Sequence, residues 1–502
     1  MHIFYYIITL TLSLLWTETY AQIVQPSPKQ EFRAVWLTTL SGLDWPTSKA
    51  GNKFGVQRQK EELCNILDKL EAANFNAVVL QVRTRGAVIY PSQIEPWDVC
   101  LTGKYGVSPG YDPLAFAINE CHKRGMQLHA WVVAIPGNKF AQSKALGKSA
   151  LEKRVPDLCL KTNDAYMLNP GIPGTADYLA SLCEEITKNY DVDGISLDYI
   201  RYPEKEVKFN DLQTYKKYSD GKQSLQEWRR ANISRCVKAI HDKVKAIKPW
   251  VAISCSPVGK FRDTKRYSSG GWNAYNAVAQ DAKLWLKKGW MDILMPMMYF
   301  KDNHFFPFAL DWQEDSYGRC IATGLGVYLT DKNQKNWQRN IIESEIEFGR
   351  AHGLGGQVFF RSRFITDNTK GIYDNLKNNI YYTKALPPPL AGESIPTPAA
   401  PIEGNVTTTK KNTVLTWKGN TDDYRYILYR SYQYPVNTES GACIYLTNIS
   451  QPSITINTPY PMGLMPYYAV TAINRYGVES KPIELNKPYQ FVDVSKFTEL
   501  QE

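Results

Sequence analysis

Several common classes of protein leave marks that this sequence lacks. Its nine cysteines are odd in number and none stands in a CxxC pair, which disfavours a disulfide framework. Only six histidines occur, without an HxH or HExxH motif, so we expect no bound metal and no cofactor. The glycine-rich turn of dinucleotide-binding folds and the Gly-x-Ser-x-Gly elbow of serine hydrolases are also missing.

Charge is in excess on the basic side but is not concentrated. The chain has 59 Lys and Arg against 49 Asp and Glu, a formal net charge of +10. These basic residues are scattered rather than clustered, so we expect no nucleic-acid partner. A net positive charge suits an anionic surface such as a cell wall, although charge alone selects no partner. The sequence gives no indication of the oligomeric state.

One long apolar run occurs, and it lies at the start of the chain. Residues 3–16 are apolar apart from Thr and Ser, and small residues stand three and one places before a cut after Ala21. This pattern predicts a signal peptide over 1–21, although it lacks a Lys or Arg before the run. We therefore expect a secreted protein, either periplasmic or at the cell surface or beyond, with no transmembrane span. Removal of the signal peptide takes away one acid, Glu18, and changes the formal net charge from +10 to +11.

From residue 31 onward, strand-like runs alternate with amphipathic helical runs. The strands are predicted at 31–39, 76–83, 126–135, 192–200, 250–258, 291–299, 320–329 and 356–360. Helices are predicted between them at 58–73, 112–124, 174–189, 225–247, 278–289 and 337–353. Eight such units predict an α/β fold, a (β/α)₈ TIM barrel over 31–385. An open doubly wound sheet is disfavoured because its glycine-rich phosphate turn is missing.

A second, smaller domain follows the barrel. Proline is frequent in 386–401, which predicts a stiff linker. Over 402–490 apolar and polar residues alternate as in half-buried strands, which predicts a small all-β sandwich. Residues 468–480 resemble the last strand pair of a fibronectin type III domain, with Trp417 as its core tryptophan and Tyr468 as its tyrosine corner.

The stretch 192–203 carries the main chemical signal. It begins as a buried strand and then places Asp198 where a core strand stays apolar, followed by Tyr199 and Arg201. An acid at the carboxyl end of a barrel strand is typical of a catalytic group, whereas the plain alternative is a structural ion pair with Arg201. Glu204, six residues on, is the candidate second acid; its plain alternative is a solvated loop carboxylate.

Other polar and aromatic residues are predicted to gather at the same rim. As substrate-binding candidates we take the following strand-end and loop residues: Asp44, Trp45, Arg83, Trp97, His129, Trp131, Asn169, Tyr199, Arg201, Tyr299 and Arg361. Carboxylates, arginines and large aromatic rings together suit the hydrolysis of sugars, in which two carboxyl groups flank the cleaved bond.

These residues resemble the bacterial glycosyl-hydrolase-like family ten proteins over about 31–385. The motifs that carry the resemblance are Phe32-Arg33-Ala34-Val35-Trp36, Leu43-Asp44-Trp45-Pro46, Tyr90-Pro91-Ser92, Gly110-Tyr111-Asp112-Pro113-Leu114, His129-Ala130-Trp131, Asn169-Pro170-Gly171, Asp193-Gly194 with Asp198, and Tyr202-Pro203-Glu204. The resemblance implies a glycosidase whose substrate is a polysaccharide or cell-wall glycan, for some relatives peptidoglycan strands without stem peptides. It also implies that Asp198 and Glu204 are the strand-end acids.

Three hypotheses remain open on the sequence. The first is a secreted glycoside hydrolase with Asp198 as nucleophile or base and Glu204 as proton donor. The second is a glycan-binding or scaffold barrel without catalysis, which is favoured by Tyr199 and Ala87 where relatives often carry an Asp. The third, a metal-dependent deacetylase or isomerase, requires His and acidic ligands that converge on one point.

Overall fold

The computed structural model describes residues 27–392, 395–409, 411–419, 424–457 and 465–488. The predicted signal peptide over 1–21 and the last two residues of the predicted second domain lie outside these ranges. None of the helices in these ranges combines the length and the apolar composition that a membrane span requires.

Eight parallel strands form a closed barrel. In chain order the strands of the first part of the chain are β1 Phe32–Leu37, β2 Ala77–Arg83, β3 Gln127–Val133, β4 Pro136–Lys139, β5 Cys159–Lys161, β6 Ala165–Leu168, β7 Gly194–Asp198, β8 Ala252–Cys255, β9 Ile293–Leu294, β10 Cys320–Leu325 and β11 Gly356–Phe360. The barrel runs β1-β2-β3-β7-β8-β9-β10-β11 and closes from β11 back to β1. The predicted TIM barrel is therefore confirmed.

The shortest barrel strand has a local cause. Strand β9 has two residues, whereas the sequence predicts a strand over 291–299. Pro296 lacks the N–H that a ladder requires, so regular pairing stops before it. Beyond the proline, Met297 still forms isolated bridges to Val258 on one side and Gly324 on the other.

Helices cover the outside of the barrel. The longer ones are Lys53–Ala72, Pro113–Lys123, Gly174–Asn189, Leu225–Ile247, Phe306–Glu314 and Arg339–Ala351. The shorter ones are Val99–Thr102, Phe140–Leu146, Leu151–Arg154, Leu212–Tyr218, Ala274–Ala277, Ala282–Lys287, Ser362–Thr366 and Ile372–Asn375. Side-chain caps fix several starts; Asp112 accepts from the backbone of Leu114 and Ala115, for example.

Two hydrophobic cores result from the alternation of side chains along each strand. On β7, Ile195 and Leu197 belong to the large core between the barrel and its helices. A smaller core fills the barrel itself, with Trp36, Val79 and Trp131 among its members. Since successive side chains point to opposite faces, Asp198 faces the barrel interior at the carboxyl end of β7.

The structure adds elements that the sequence did not predict. Strands β4, β6 and β5 form a small antiparallel sheet after β3. These strands have only three or four residues each, too short to show a clear alternation of apolar and polar side chains. A separate observation concerns the nine cysteines, which are free thiols, five of them buried and four half-buried.

The second part of the chain is all-β, as predicted. Its strands are β12 Ile402–Thr408, β13 Asn412–Lys418, β14 Tyr424–Ser431, β15 Ile444–Ile449, β16 Ser453–Asn457, β17 Tyr467–Asn474 and β18 Ile483–Glu484. They form two antiparallel sheets, β12-β13-β16 and β15-β14-β17-β18. Trp417 and Tyr468 are buried in the core of this domain, and its fibronectin type III assignment stays a prediction.

This domain packs on the barrel at the amino ends of the strands. Asn448 donates to the carbonyl of His122, just before β3, and Arg475 pairs with Asp191, just before β7, at 2.6 Å. The domain therefore lies on the face opposite the carboxyl ends, where barrel active sites gather.

One buried acid predicts a pH-dependent stability. Glu345 in helix Arg339–Ala351 is 1% exposed, and neither carboxyl oxygen has a hydrogen-bond partner among the described residues. Burial, with a smaller effect of Asp302, raises its pKa well above the ordinary value. The folded state thus holds a proton that the unfolded state releases, so stability falls as pH rises above 4.5.

Replacement of this acid by an apolar residue should stabilise the fold. We expect Glu345→Leu to raise the free energy of unfolding at pH 7 by about 1–3 kcal/mol, the usual cost of an unsatisfied buried polar group. Denaturant unfolding at several pH values measures the effect, and Glu347→Leu, an exposed site on the same helix, is the control. Equal slopes of stability against pH in Glu345→Leu and the wild type would contradict this account.

Candidate active site

Asp198 ends β7 at the rim of the barrel and is held by three donors. Its Oδ1 accepts from the backbone N–H of Tyr199 at 2.8 Å and from Ser256 Oγ at 3.2 Å. Its Oδ2 accepts from Trp131 Nε1 at 3.1 Å. The residue is 6% exposed, so the carboxyl group lies at the floor of the barrel mouth in a defined orientation.

Burial controls the protonation of Asp198. Loss of solvent raises its pKa above the ordinary value, and this outweighs the opposite effects of the Tyr199 N–H, the charge of Arg201, Ser256 and Trp131. Asp198 therefore keeps its proton to a higher pH than a solvated aspartate does.

Glu204 lies beside the same arginine and behaves in the opposite way. Arg201, 4% exposed, donates from Nη2 to Glu204 Oε1 at 2.8 Å. Partial burial raises the pKa of Glu204, but the charge and the hydrogen bond of Arg201 outweigh it, and the net change is downward. Arg201 thus pairs with Glu204, while its charge also reaches Asp198. The structural ion pair between Asp198 and Arg201 that the sequence left open is not formed.

Aromatic rings build one wall of the mouth. Tyr299, Tyr328 and Phe360 form a triangle with ring centroids 5.6–5.7 Å apart. Burial raises the pKa of the Tyr299 phenol well above its ordinary value, with contributions from Asp198, Tyr328 and Tyr199, so these groups share one region. Tyr299 therefore lies at the barrel mouth, and its contact with substrate stays a prediction.

Tyr199 has an unusual backbone that directs its ring outward. Its φ is +49°, in the left-handed region that a bulky residue rarely adopts, and the residue is 40% exposed. Its ring lies 4.5 Å from the guanidinium of Arg201. A strained backbone costs free energy and persists only where the surrounding structure holds it. Such residues are found mostly at functional sites.

The three tryptophans predicted to bind substrate lie mostly inside the protein. Trp45 is 0% exposed and donates through Nε1 to the carbonyl of Gln59 at 2.7 Å, so it presents no face to a ligand. Trp131 is 5% exposed, and its indole edge orients Asp198. Trp97 is half-buried and packs against the large core.

His129 lies deep in the barrel and not at its mouth. It is 0% exposed, and a Cβ on Gly194 at the start of β7 would meet its Nδ1 at 2.1 Å. Burial lowers the pKa of His129 to about 4, so the ring is neutral near pH 7. The prediction that it contacts substrate is wrong, because its strand position is below the rim.

Two further candidates serve the scaffold. Arg83 is 1% exposed and forms two parallel bonds to Glu95, at 2.7 and 2.8 Å, besides bonds to the carbonyls of Val133 and Ala134. Asn169 is 0% exposed and connects its own turn to Thr214. Neither side chain is available to a substrate in this arrangement.

Asp44 and Arg361 pair with each other where β1 and β11 end. Arg361 donates to Asp44 Oδ1 and to the carbonyl of Leu43, while Asp44 Oδ2 accepts from the backbone of Thr38 at 2.9 Å. Burial raises the pKa of Asp44 despite these partners, and Arg361 keeps some exposure. The pair closes the rim between the first and last strands, and Arg361 is its accessible member.

The residues that the sequence did not indicate lie in the connections that follow barrel strands. Tyr328 stands three residues after β10, and Trp272 lies in the long connection after β8. Tyr328 follows the end of a barrel strand, so the rule that barrel active sites gather at strand ends would have found it. Nothing in the sequence around Trp272 indicates that its ring lies 5.2 Å from the guanidinium of Arg201. The described residues contain no group of three or more His, Cys, Asp or Glu that could hold a metal ion.

The sequence is similar to those of known proteins. The model of the glycosyl hydrolase-like 10 family matches residues 31–341. The chain is 29% identical over 483 residues to glycosyl hydrolase YngK of Bacillus subtilis strain 168, covering 90% of this chain and 92% of that protein. It is 34% identical over 289 residues to glycosyl hydrolase DigH of Escherichia coli K12, covering 54% of this chain and 66% of that protein.

A solved structure shows a similar fold. It is the glycoside hydrolase domain of PgaB (BpsB) from Bordetella bronchiseptica, with a TM-score of 0.50 and 12% identity. The match covers 70% of this chain and 98% of that one, and at this identity it concerns the fold alone. From the family match and the relatives together, this chain belongs to the glycosyl hydrolase-like 10 family and, by enzyme class, to the glycoside hydrolases.

Proposed function

We propose that this protein is exported and hydrolyses glycosidic bonds in a cell-wall polysaccharide, with peptidoglycan glycan strands that lack stem peptides as the substrate to test first. The observation that carries the proposal is the placement of two acids around one arginine: Arg201 donates to Glu204 at 2.8 Å, and its charge also acts on Asp198 at the end of β7. Burial raises the pKa of Asp198, and Arg201 lowers that of Glu204. Two carboxyl groups in different protonation states are what glycoside hydrolysis needs. Export is supported by the apolar run over 3–16.

The electrostatics favour a division of roles opposite to the one expected from sequence. The proton donor must be protonated at the working pH, and Asp198 is the acid whose pKa is raised. The second acid must be ionised, and Glu204 is held ionised by Arg201 at 2.8 Å. In this proposal Asp198 is therefore the proton donor and Glu204 the nucleophile or base.

The reaction balances with water as the second reactant. Asp198 gives its proton to the glycosidic oxygen as the bond from that oxygen to the sugar carbon breaks. Glu204 either forms an ester with that carbon, which water then hydrolyses, or takes a proton from the water that attacks the carbon and later releases that proton to solvent. One product gains the hydrogen and the other the hydroxyl, and Asp198 recovers its proton from solvent or from the attacking water.

Incubation of the purified mature protein with peptide-free glycan strands and a panel of polysaccharides tests the proposal. We expect new reducing ends from the wild type on at least one glycan. Tight glycan binding without any release by a folded protein would instead establish the non-catalytic glycan-binding barrel, which the low exposure of Asp198 favours. Cell fractionation and sequencing of the mature amino terminus test the export.

The pH profile tests the assignment of the proton donor. Ser256 Oγ donates to Asp198 Oδ1 and thereby favours the ionised form. Ser256→Ala removes that donor, so we expect the pKa of Asp198 to rise further and the alkaline limb of kcat/KM to move to higher pH. The acid limb, set by Glu204, should stay in place.

A neighbouring serine provides the control for this profile. Ser254 lies on β8, two residues before Ser256 and deeper in the barrel, and donates to the carbonyl of Ile195 at 3.4 Å. We expect Ser254→Ala to leave both limbs unchanged. A shift of the acid limb in Ser256→Ala would show that Asp198 acts in its ionised form and would restore the roles expected from sequence.

A further inference from the structure

The connection after β8 is a loop with a built internal support. Lys260, 3% exposed, donates from Nζ to Asp263 Oδ1 at 2.9 Å, to Ser269 Oγ at 2.8 Å and to the carbonyl of Gly270. The base of the loop is closed by a backbone bond from Ala274 N to the Lys260 carbonyl at 2.8 Å. A buried cation with three oxygen partners gives this loop a defined shape.

The loop presents one exposed indole next to Arg201, the partner of Glu204. Trp272 is 46% exposed and is the only tryptophan among the described residues that is exposed by more than a third. Its ring lies 5.2 Å from the guanidinium of Arg201, and the Tyr199 ring lies 4.5 Å from the same group. Arg201 in turn holds Glu204, so two exposed rings flank the arginine that controls the acid.

The rings of Trp272 and Tyr199 are far less buried than the tryptophans of the protein core. Trp45, Trp285 and Trp312 are each 0% exposed, and each has its indole N–H bonded inside the protein. Trp272 instead keeps nearly half of its surface in water, which costs free energy unless an apolar partner covers it. The face of a sugar ring in a bound chain is such a partner.

We propose that Trp272, together with Tyr199, forms a sugar-stacking subsite on the Glu204 side of the cleft, which makes the protein selective for long glycan chains. This inference rests on the proposed function and adds to it the substrate class: a chain that continues past the cleaved bond far enough to reach the loop. Trp272 is a specificity-determining residue in this role, and Lys260 is a positioning residue that acts through the loop.

Glycans of two lengths test the subsite. Peptide-free glycan strands, separated into short and long fractions, are titrated against Trp272→Ala and Trp272→Phe in an Asp198→Asn background, which separates binding from turnover. We expect roughly tenfold weaker binding of the long fraction by Trp272→Ala, since one apolar ring face is lost. The short fraction should lose less, and Trp272→Phe should recover most of the affinity. In the active background the loss should fall on KM rather than on kcat.

The control is an exposed aromatic residue at the other end of the barrel. Tyr317 is 48% exposed, has a positive φ like Tyr199 and precedes β10. Tyr317→Ala should bind both fractions like its parent. Thermal unfolding of each variant checks the fold. Lys260→Met provides a second way to displace the indole, and we expect it too to weaken binding of the long fraction more than that of the short fraction.

The outcomes separate this inference from the function beneath it. Equal losses on short and long strands, or no loss on either, would overturn the subsite while hydrolysis by the wild type still stands. Failure of the wild type to bind or cleave any of the glycans would overturn both. If Trp272→Ala binds long strands more weakly but the wild type hydrolyses none of the glycans, the subsite stands and the catalytic role is removed.

Discussion

Asp198→Asn should lower the rate of glycan hydrolysis by about 10²–10⁴-fold, the range that a positioned general acid contributes. The amide keeps the shape, and its one oxygen can still accept from Tyr199 N and Ser256 Oγ, whereas its NH2 group loses the bond from Trp131. We expect a folded barrel with some loss of stability, which thermal unfolding measures. What the amide cannot do is release a proton to the leaving oxygen. The expected loss is therefore in kcat, with glycan binding largely retained.

A matched variant separates chemistry from loss of a buried carboxylate. Asp292 is also a buried aspartate, but it lies at the opposite end of the barrel and accepts from Ile253 N and Lys245 Nζ, both at 2.8 Å. Asp292→Asn should cost stability and leave turnover per folded molecule unchanged. Reducing-end release and thermal unfolding are measured on both. An unchanged rate in Asp198→Asn would remove this residue from the mechanism.

Arg83→Met should cost stability and not catalysis. The substitution leaves Glu95 buried at 4% exposure without its bidentate partner, and breaking a buried ion pair from one side costs about 3–5 kcal/mol. It also removes donors from the carbonyls of Val133 and Ala134 at the end of β3. We expect a lower free energy of unfolding, with KM and kcat of the remaining folded molecules close to those of the wild type.

The pH dependence of that loss has a defined sign. Burial raises the pKa of Glu95, but Arg83 outweighs it and the net change is downward. A lowered pKa contributes stability above the ordinary value of 4.5 that is lost as pH falls through the folded-state pKa. Denaturant unfolding from neutral to acidic pH should show a smaller loss on acidification in Arg83→Met than in the wild type.

Two further variants complete that experiment. Arg58→Met, at an exposed helix position, controls for loss of a charge. Arg83→Met with Glu95→Leu should recover part of the stability, because no unpaired buried charge remains. A raised KM in Arg83→Met without loss of stability would return Arg83 to the substrate site.

The fold was predictable because its signals are local. Each barrel strand is a short apolar run and each long helix shows a regular apolar stripe, such as Leu63, Leu67 and Leu70 in helix Lys53–Ala72. Chain order then implies a parallel arrangement, since a helix separates consecutive strands. The small sheet β4-β6-β5 was not predicted because three- and four-residue strands carry too little pattern.

The site was predictable in part. Asp198 was found because a carboxylate at the end of an apolar strand is conspicuous and because parallel strands bring their carboxyl ends together. Trp45, Asn169 and Arg83 follow the same rule of position, yet each is turned into the scaffold. Position along a strand predicts which end of the barrel a residue occupies, but not whether its side chain reaches solvent.

By itself the sequence determined the closed barrel, the trailing all-β domain and the place of one carboxylate at the rim, because these depend on the period and order of residues along the chain. Only the tertiary structure decided the partners: Arg201 with Glu204, Trp131 and Ser256 with Asp198, and Arg83 with Glu95. The same is true of the protonation of the two acids and of the exposed Trp272. Desolvation and pairing depend on what packs around a group in space, and residues far apart in the chain supply those surroundings, as Trp131 does for Asp198, 67 positions away.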